Sequence, residues 1–300
     1  MTYIATPQSL STIPEEGGGM NERVSGKRLE ELGKELSDRD LGILRTLRML
    51  RCCTTHHLRR LHFTGATSEL TALRATNRVL NKLNGYSLVS RLKRRIGGVR
   101  AGSGAYVWRL APAGHRLLAL TEKREGAPPR KRDYEPSRAF LEHTLAVTET
   151  VVRLEELTAS GGLLLSAITS EPECWRKYSG SGGEAKTLRP DLFAVTVSGE
   201  YEDSWFFEID LATEAPSTVL RKCAQYILYY KTGTEQNKYG VFPYIVWIVP
   251  DEKRRTAIAE RIRKELPPVD AALFIVILMD ELETLLYGGA EKFNNKRNDQ

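Results

Sequence analysis

Three acidic residues lie at the ends of two apolar stretches in the second half of the chain. Asp191 precedes LFAVTV, and Glu208 and Asp210 lie two residues apart at the end of SWFFEID. Because successive side chains of a strand alternate between its faces, we expect Glu208 and Asp210 on the same face. The intervening SGEYED is typical of a hairpin turn, which would bring Asp191 beside them.

Three buried carboxylates at one point need a cation, because burial without a counter-charge costs hydration and adds mutual repulsion. Hard oxygen ligands of this kind suit Mg²⁺ or Mn²⁺. Such an ion polarises a phosphate and lowers the pKa of an attacking water, which is the chemistry of phosphodiester hydrolysis. We therefore predict a divalent-metal site at these acids. The alternative is a set of solvated acids at an exposed strand end.

The elements that must position these acids predict an α/β domain over residues 138–288. A long helix (SRAFLEHTLAVTETVVRLEELTAS) and a strand (GGLLLSAIT) lead through a loop (EPECWRKYSGSGGEAKTL) to the hairpin. Further helices then alternate with the near-continuous apolar strands YIVWIV and ALFIVILM, which favours a buried mixed sheet flanked by helices. The helix from residue 217 places Lys222 and Tyr226 on one face. On the long helix, His143 either lines the acidic pocket or is a partly buried helix residue.

The charge distribution separates the first half of the chain from the second. Residues 37–120 contain 16 Lys or Arg and 3 Asp or Glu, a net +13, whereas residues 1–36 carry −2 and residues 121–300 carry −5. A positive field concentrated in one segment is typical of a protein that binds a polyanion. The charge therefore predicts DNA or RNA as the partner of this segment, and double-stranded DNA if the segment folds as a winged helix.

The pattern within residues 37–120 predicts a winged helix-turn-helix. SDRDLGILRTLRMLR, TTHHLRRLHF and TSELTALRATNRVLNKLNG each open with a Ser or Thr cap and carry apolar residues at helical spacing. In the third helix the residues predicted to be buried are Leu70, Leu73, Val79, Leu80 and Leu83. YSLVSRLKRR and AYVWRL, separated by glycine-rich turns, then form a hairpin.

In a winged helix the third helix enters the major groove and the hairpin contacts the backbone or the minor groove. Arginine and asparagine suit purine edges, and clustered cations suit phosphates. The DNA-binding residues predicted on this basis are Arg74, Asn77, Arg78, Asn81 and Lys82 in the helix and Arg91, Lys93, Arg94, Arg95 and Arg100 in the wing. Two alternatives remain: a solvated basic face, and a protein-docking winged helix.

The remaining features bound the class of protein. Residues 1–36 show no apolar period and are expected to be disordered, residues 121–137 form a charged linker, and residues 289–300 form a polar tail. The longest apolar runs are too short to span a bilayer, and no signal peptide is evident, so we expect a cytoplasmic, plasmid- or nucleoid-associated protein and no membrane partner. The four cysteines show no CxxC spacing and suit a reduced interior.

The motif order of the second half resembles the PD-(D/E)XK restriction-endonuclease-like fold. Asp191 matches the first acid of that motif and Glu208 the second, but Asp210 stands where the motif has lysine. The missing cation could be supplied from a migrated position by Lys222, one helix further on. The resemblance thus implies that Asp191, Glu208, Asp210 and Lys222 form the catalytic set.

From LGILRTLRMLRCCTTHHLRRLHF through LRPDLFAV and FFEIDLATE to YILYY, the chain resembles the replication-relaxation family of plasmids and other mobile elements. The resemblance implies a DNA-binding protein in plasmid replication, mobilisation or their regulation, with replication or transfer proteins as partners. Whether the second domain is a Mg²⁺-dependent endonuclease is left open, and the replacement of the motif lysine favours inactivity. The alternative is a winged-helix transcriptional regulator whose second domain mediates homodimerisation or binds a partner.

Overall fold

Helices alternate with strands through the residues that this computed structural model describes, which are 24–93, 106–123, 135–180 and 182–298. The helices are α1 (Gly26–Glu35), α2 (Asp38–Leu50), α3 (Thr55–His62), α4 (Glu69–Gly85), α5 (Pro112–Thr121), α6 (Arg138–Ala159), α7 (Pro216–Lys231), α8 (Thr234–Tyr239), α9 (Glu252–Glu265), α10 (Pro268–Ala271) and α11 (Leu282–Asn298). The strands are β1 (Cys53–Thr54), β2 (Val89–Arg91), β3 (Val107–Leu110), β4 (Leu164–Ser170), β5 (Arg176–Ser179), β6 (Ala185–Leu188), β7 (Leu192–Ser198), β8 (Tyr201–Ile209), β9 (Tyr244–Val249) and β10 (Phe274–Leu278). The fold is α/β, as the sequence predicts.

The first half contains helices α2, α3 and α4 followed by a small antiparallel sheet in the order β1-β3-β2. Side chains cap each of the three helices. Ser37 and Asp40 form a reciprocal capping box at α2, as Thr54 and His57 do at α3, and Ser68 accepts from the backbone at α4. These caps satisfy backbone N–H groups that the first helical turn leaves without partners, so the helix starts are encoded locally.

Two predictions for the first half are wrong in part. Residues 24–36, the described part of the segment expected to be disordered, contain α1, which packs against α5 and buries Leu29 and Leu32. The apolar residues three apart supply the buried face, and the Ser25 side chain caps the helix. In α4, Leu80 and Leu83 are buried as predicted, but Leu70 is 67% exposed, and Ala72 and Thr76 are buried as well.

The second half is built on a five-stranded sheet in the order β10-β9-β8-β7-β4. Strands β8, β9 and β10 are mutually parallel, whereas β7 pairs antiparallel with both β8 and β4. Alternate side chains of β8 enter different cores: Phe207 packs among residues of α6 and α11, and Phe206 packs against Tyr226 of α7. The sheet is mixed and flanked by helices on both faces, as its apolar strands predict.

Two further stretches of the second half differ from prediction. The predicted loop between β4 and β7 contains the β5–β6 hairpin, in which Arg176 pairs opposite Leu188. The buried Glu235 of α8 holds the hairpin through Arg176, and no local signal predicts this contact, because the two residues are 59 positions apart in the chain. The predicted polar tail is helical as far as Asn298, with non-helical geometry at Gly289.

The contact that fixes this hairpin joins residues that are distant in the chain. Arg176 Nε donates to Glu235 Oε1 over 3.0 Å, and Tyr229 donates its hydroxyl to the other carboxylate oxygen. Arg176 also lies 4.7 Å from the ring centroid of Phe193. Because Glu235 is buried and fully partnered, it anchors the hairpin to α8.

The two halves share one buried apolar cluster. It includes Leu47 and Leu58 of the first half and Val147 and Val151 of α6. Side-chain hydroxyls cross the same junction, where Thr148 Oγ1 donates to the carbonyl of Cys52 over 2.9 Å. The described residues of the two halves therefore pack directly on one another, with residues 124–134 of the predicted linker lying outside the described part.

An arginine reinforces this junction. Arg60 of α3 donates to Glu149 over 2.6 Å and to Glu156 over 2.7 Å, both on α6. Although burial opposes the ionisation of Glu149, contacts with His57 and Arg60 lower its pKa to about 2.

Within the described residues, no helix is both long enough and apolar enough to cross a membrane.

Candidate functional site

Asp191 lies beside Glu208 at the start of β7. Its backbone N–H donates to the carbonyl of Phe207 over 3.2 Å, and its Oδ2 accepts from the N–H of Ile209 over 2.8 Å. These two bonds join Asp191 to the two residues that flank Glu208 in the neighbouring strand. The antiparallel β7–β8 pairing thus brings two of the three predicted acids together.

Glu208 is buried between two side chains of α7. Tyr226 donates its hydroxyl to Oε1, and the Lys222 ammonium contacts Oε2, which has no hydrogen bond to any described residue. Burial raises the pKa of Glu208 to about 8, against the opposing effect of Lys222. Burial opposes the charge of Lys222 as well, but Glu208 and Asp191 outweigh it and raise the lysine pKa. The four-residue spacing of Lys222 and Tyr226 puts both on the α7 face that packs on the sheet.

His143 of α6 completes the surroundings of Asp191. Its Nε2 lies 3.2 Å from Asp191 Oδ1, and a third of its side chain is exposed. Contact with Asp191 raises the pKa of His143 despite burial. Burial alone would raise the pKa of Asp191, but His143 and Lys222 lower it. The sequence left two possibilities open for His143, and in the structure it lines the acidic pocket.

Asp210 is paired with an arginine of another helix. It follows the last residue of β8, and its backbone N–H still donates to the carbonyl of Ile248 on β9 over 2.9 Å. Arg254 of α9 binds the Asp210 carboxylate with both Nε (2.5 Å) and a terminal nitrogen (3.0 Å). Among the residues described, no group of three His, Cys, Asp or Glu could hold a metal ion.

The site consists of two buried carboxyl groups behind two partly exposed basic side chains. About 30% of the Lys222 side chain and 33% of the His143 side chain are exposed, against 12% for Asp191 and 1% for Glu208. Lys222 and His143 can therefore meet a ligand from solvent, and an anion such as a phosphate suits them. Both oxygens of Glu208 are already contacted, Oε1 by the Tyr226 hydroxyl and Oε2 by the Lys222 ammonium.

The residues predicted to bind DNA differ in their exposure and in their partners. Arg74, Arg78 and Asn81 of α4 are exposed, and Asn77 is half-buried. Lys82 Nζ lies 2.6 Å from Asp40 of α2, so its charge is already paired. In the hairpin, Lys93 is exposed and Arg91 lies 4.4 Å from the ring centroid of Tyr106. The other predicted wing cations, Arg94, Arg95 and Arg100, lie outside the described residues.

Sequence reasoning missed the arginines that organise the surroundings of the site. Arg254 pairs with an acid 44 residues away, and Arg60 pairs with acids on a helix of the other half. No short-range spacing could have indicated either pair. A weaker signal was available for Arg254. It lies in the first turn of α9, after the Asp251 cap, and α9 directly follows β9, which is adjacent to β8.

Comparison with known proteins identifies one family. The model of the replication-relaxation family matches residues 44–245, about two thirds of the chain. Neither the curated proteins nor the solved structures that were searched contain a match. The matched segment begins within α2 and includes α3 and α4 as well as Asp191, Glu208 and Lys222. The chain belongs to the replication-relaxation family.

Proposed function

We propose that this protein binds duplex DNA through α4 and the β2–β3 hairpin while acting in replication or mobilisation of a plasmid or other mobile element. Its family supports a role in plasmid or mobile-element replication or relaxation. The observation that carries the DNA-binding proposal is the outer face of α4. There Arg74 and Arg78 are exposed and form no ion pair with any residue that the structure describes.

The arrangement of the first half supports a winged helix-turn-helix. Helices α2, α3 and α4 precede an antiparallel pair of strands, and α4 keeps Arg74, Arg78 and Asn81 on its solvent side. Lys82 and Asp40 tie the end of α4 to the start of α2, which fixes the orientation of that side. Exposed Arg and Asn on a rigid helix suit base edges in the major groove.

A double substitution tests this proposal. Replacing Arg74 and Arg78 by Gln removes two exposed charges, so duplex affinity should fall by about tenfold or more and the salt slope of binding by roughly 2. The matched control is Arg263→Gln with Lys264→Gln, which removes two exposed charges from α9. Equal affinities for the two double variants, measured by fluorescence anisotropy at several salt concentrations, would contradict the α4 assignment.

A second candidate function is hydrolysis of a phosphodiester bond at the acidic site. The observation that favours it is the contact between Lys222 and Glu208, because a lysine beside two acids restores the cation that Asp210 does not supply. Asp191 and Glu208 would hold a divalent cation, which would activate a water and neutralise charge on the phosphate. Lys222 would stabilise charge that develops on the phosphate, and His143 would accept or donate a proton at its exposed ring.

Cleavage of supercoiled DNA with Mg²⁺ or Mn²⁺ tests the second candidate. We expect nicking by the wild type, and its loss in Asp191→Asn and in Lys222→Met. Glu173→Gln, which changes an exposed acid nearby in the chain, is the control and should nick normally. Duplex binding without nicking by the wild type would reject the hydrolase, and the second half would then act as a partner-binding or dimerisation module.

A further inference from the structure

An arginine lies over a tryptophan ring immediately before the acidic site. The guanidinium carbon of Arg189 lies 4.8 Å from the ring centroid of Trp175. Cys174 Sγ donates to the carbonyl of Pro190 over 3.1 Å, so the residues next to Trp175 and Arg189 are bonded to each other. This bond joins the two segments beside the contact.

Stacking leaves the hydrogen-bonding edge of this arginine available. A guanidinium packs on an aromatic ring with its flat face, while its five N–H donors point outward in its own plane. Arg189 is exposed and forms no ion pair within the part of the chain that the structure describes. Its charge and its donors therefore have no carboxylate partner among the described residues.

A neighbouring arginine shows how such an edge is used. Arg176 lies over the rings of Phe193 (4.7 Å) and Phe206 (5.2 Å), and its Nε edge binds the Glu235 carboxylate. Arg176 thus combines an aromatic support with an anion in the plane of the fork. Arg189 has the same kind of aromatic support but no anion among the described residues, so its fork can receive one from a ligand.

The position of Arg189 in the chain indicates which class of anion it binds. Arg189 precedes Asp191 by two residues, and Pro190 restricts it to extended conformations, so the two Cα atoms are about 7 Å apart. The partly exposed cations Lys222 and His143 contact the same acidic pair. A strand whose phosphates repeat at a spacing of several ångströms can contact Arg189 with one phosphate while another lies at Lys222.

We infer that Arg189, held by Trp175, binds a backbone phosphate of a nucleic-acid strand that runs past Asp191. This contact is separate from the α4 surface and rests on the proposed function only in taking DNA as the ligand. Arg189 is a positioning residue for the strand, because it orients a phosphate without touching a reacting atom.

The test compares duplex binding by full-length variants without divalent cations. Loss of one phosphate contact in Arg189→Gln should weaken binding about 3–10-fold and reduce the salt slope by about 0.9. Arg189→Lys should keep the slope and lose part of the affinity, because lysine lacks the planar fork. Trp175→Leu should also weaken binding, by about 2–5-fold, because the arginine then loses its fixed orientation. Arg263→Gln is the single-charge control.

Each outcome separates this inference from the α4 proposal. If Arg189→Gln binds no more weakly than Arg263→Gln, the inference is overturned whatever the α4 double variant does. A loss in Arg189→Gln supports it even where Arg74 and Arg78 prove dispensable. Inorganic phosphate provides the last arm: if it raises the melting temperature of the wild type but not of Arg189→Gln while DNA affinities stay equal, the ligand is free phosphate and the strand assignment is wrong.

Discussion

Replacement of Glu208 by Gln gives the sharpest test of the electrostatics of the acidic site. Glutamine keeps an oxygen that accepts from the Tyr226 hydroxyl, but it cannot ionise. In the folded wild type, burial raises the pKa of Glu208 to about 8, from an ordinary value of 4.5. Between these two pH values the unfolded chain has lost this proton and the folded chain still holds it.

The sign and size of the effect follow from proton linkage. Because the folded pKa is raised, the contribution of Glu208 to stability is fully present below pH 4.5 and is lost as pH rises to about 8. The full difference between the two pKa values corresponds to roughly 5 kcal/mol, or about 1.4 kcal/mol for each pH unit. The stability of Glu208→Gln relative to the wild type should therefore increase with pH over this window and level off above it. Loss of the Lys222 contact adds an offset that does not follow this slope.

Urea unfolding at pH 5, 6, 7, 8 and 9 measures this difference directly. Glu202→Gln is the matched control, because Glu202 lies on the same strand but is exposed. Its stability should run parallel to that of the wild type at every pH. If the Glu208→Gln curve also runs parallel to the wild type between pH 5 and 8, Glu208 is ionised in the folded protein and the reasoning is refuted.

Three further predictions concern the junction and the helices. Arg60→Met should destabilise the protein by about 1–3 kcal/mol in urea unfolding, because Glu149 and Glu156 lose the partly buried arginine that pairs with them. Since the pKa of Glu149 is lowered to about 2, that penalty should be full above pH 4.5 and shrink as pH falls toward 2; a penalty that is constant with pH would contradict the assignment. Leu70→Ser should change stability by less than about 0.5 kcal/mol, because Leu70 is exposed, and a larger loss would show that this side chain is buried. Arg254→Gln should destabilise the protein by about 1–3 kcal/mol, because the buried Asp210 is left without its charged partner, and an unchanged urea midpoint would count against that pair.

Local signals predicted the elements of this fold better than their contacts. The caps at Ser37, Thr54 and Ser68 are encoded within three residues, and the helices start where these residues predict. The apolar runs of β7, β8, β9 and β10 likewise predicted buried strands. Helix α1 was missed because most of its residues are polar and its buried face is completed only by packing on α5.

The candidate site shows the same limit. Antiparallel pairing was enough to predict that Asp191 lies beside Glu208, since hairpin register follows from alternation and turn length. The pairing of Asp210 with Arg254 could not be predicted in this way, because the arginine lies on another helix 44 residues further along the chain. The pairing of Arg60 with two acids of α6 could not be predicted either, because the sequence alone does not specify which surfaces of the two halves meet.

Helix α6 connects the two surfaces for which functions are proposed. Its Glu149 and Glu156 hold Arg60 of α3, which packs against α4, while its His143 contacts Asp191. At 1.5 Å per residue, about 20 Å of one helix separates the first and last of these side chains. Because a helix is stiff over that length and both ends are ion-paired, the exposed face of α4 and the acidic site are held at a set separation. DNA bound on α4 would therefore meet the second half at a defined distance from the acidic site, whether that half cleaves the strand or only holds it.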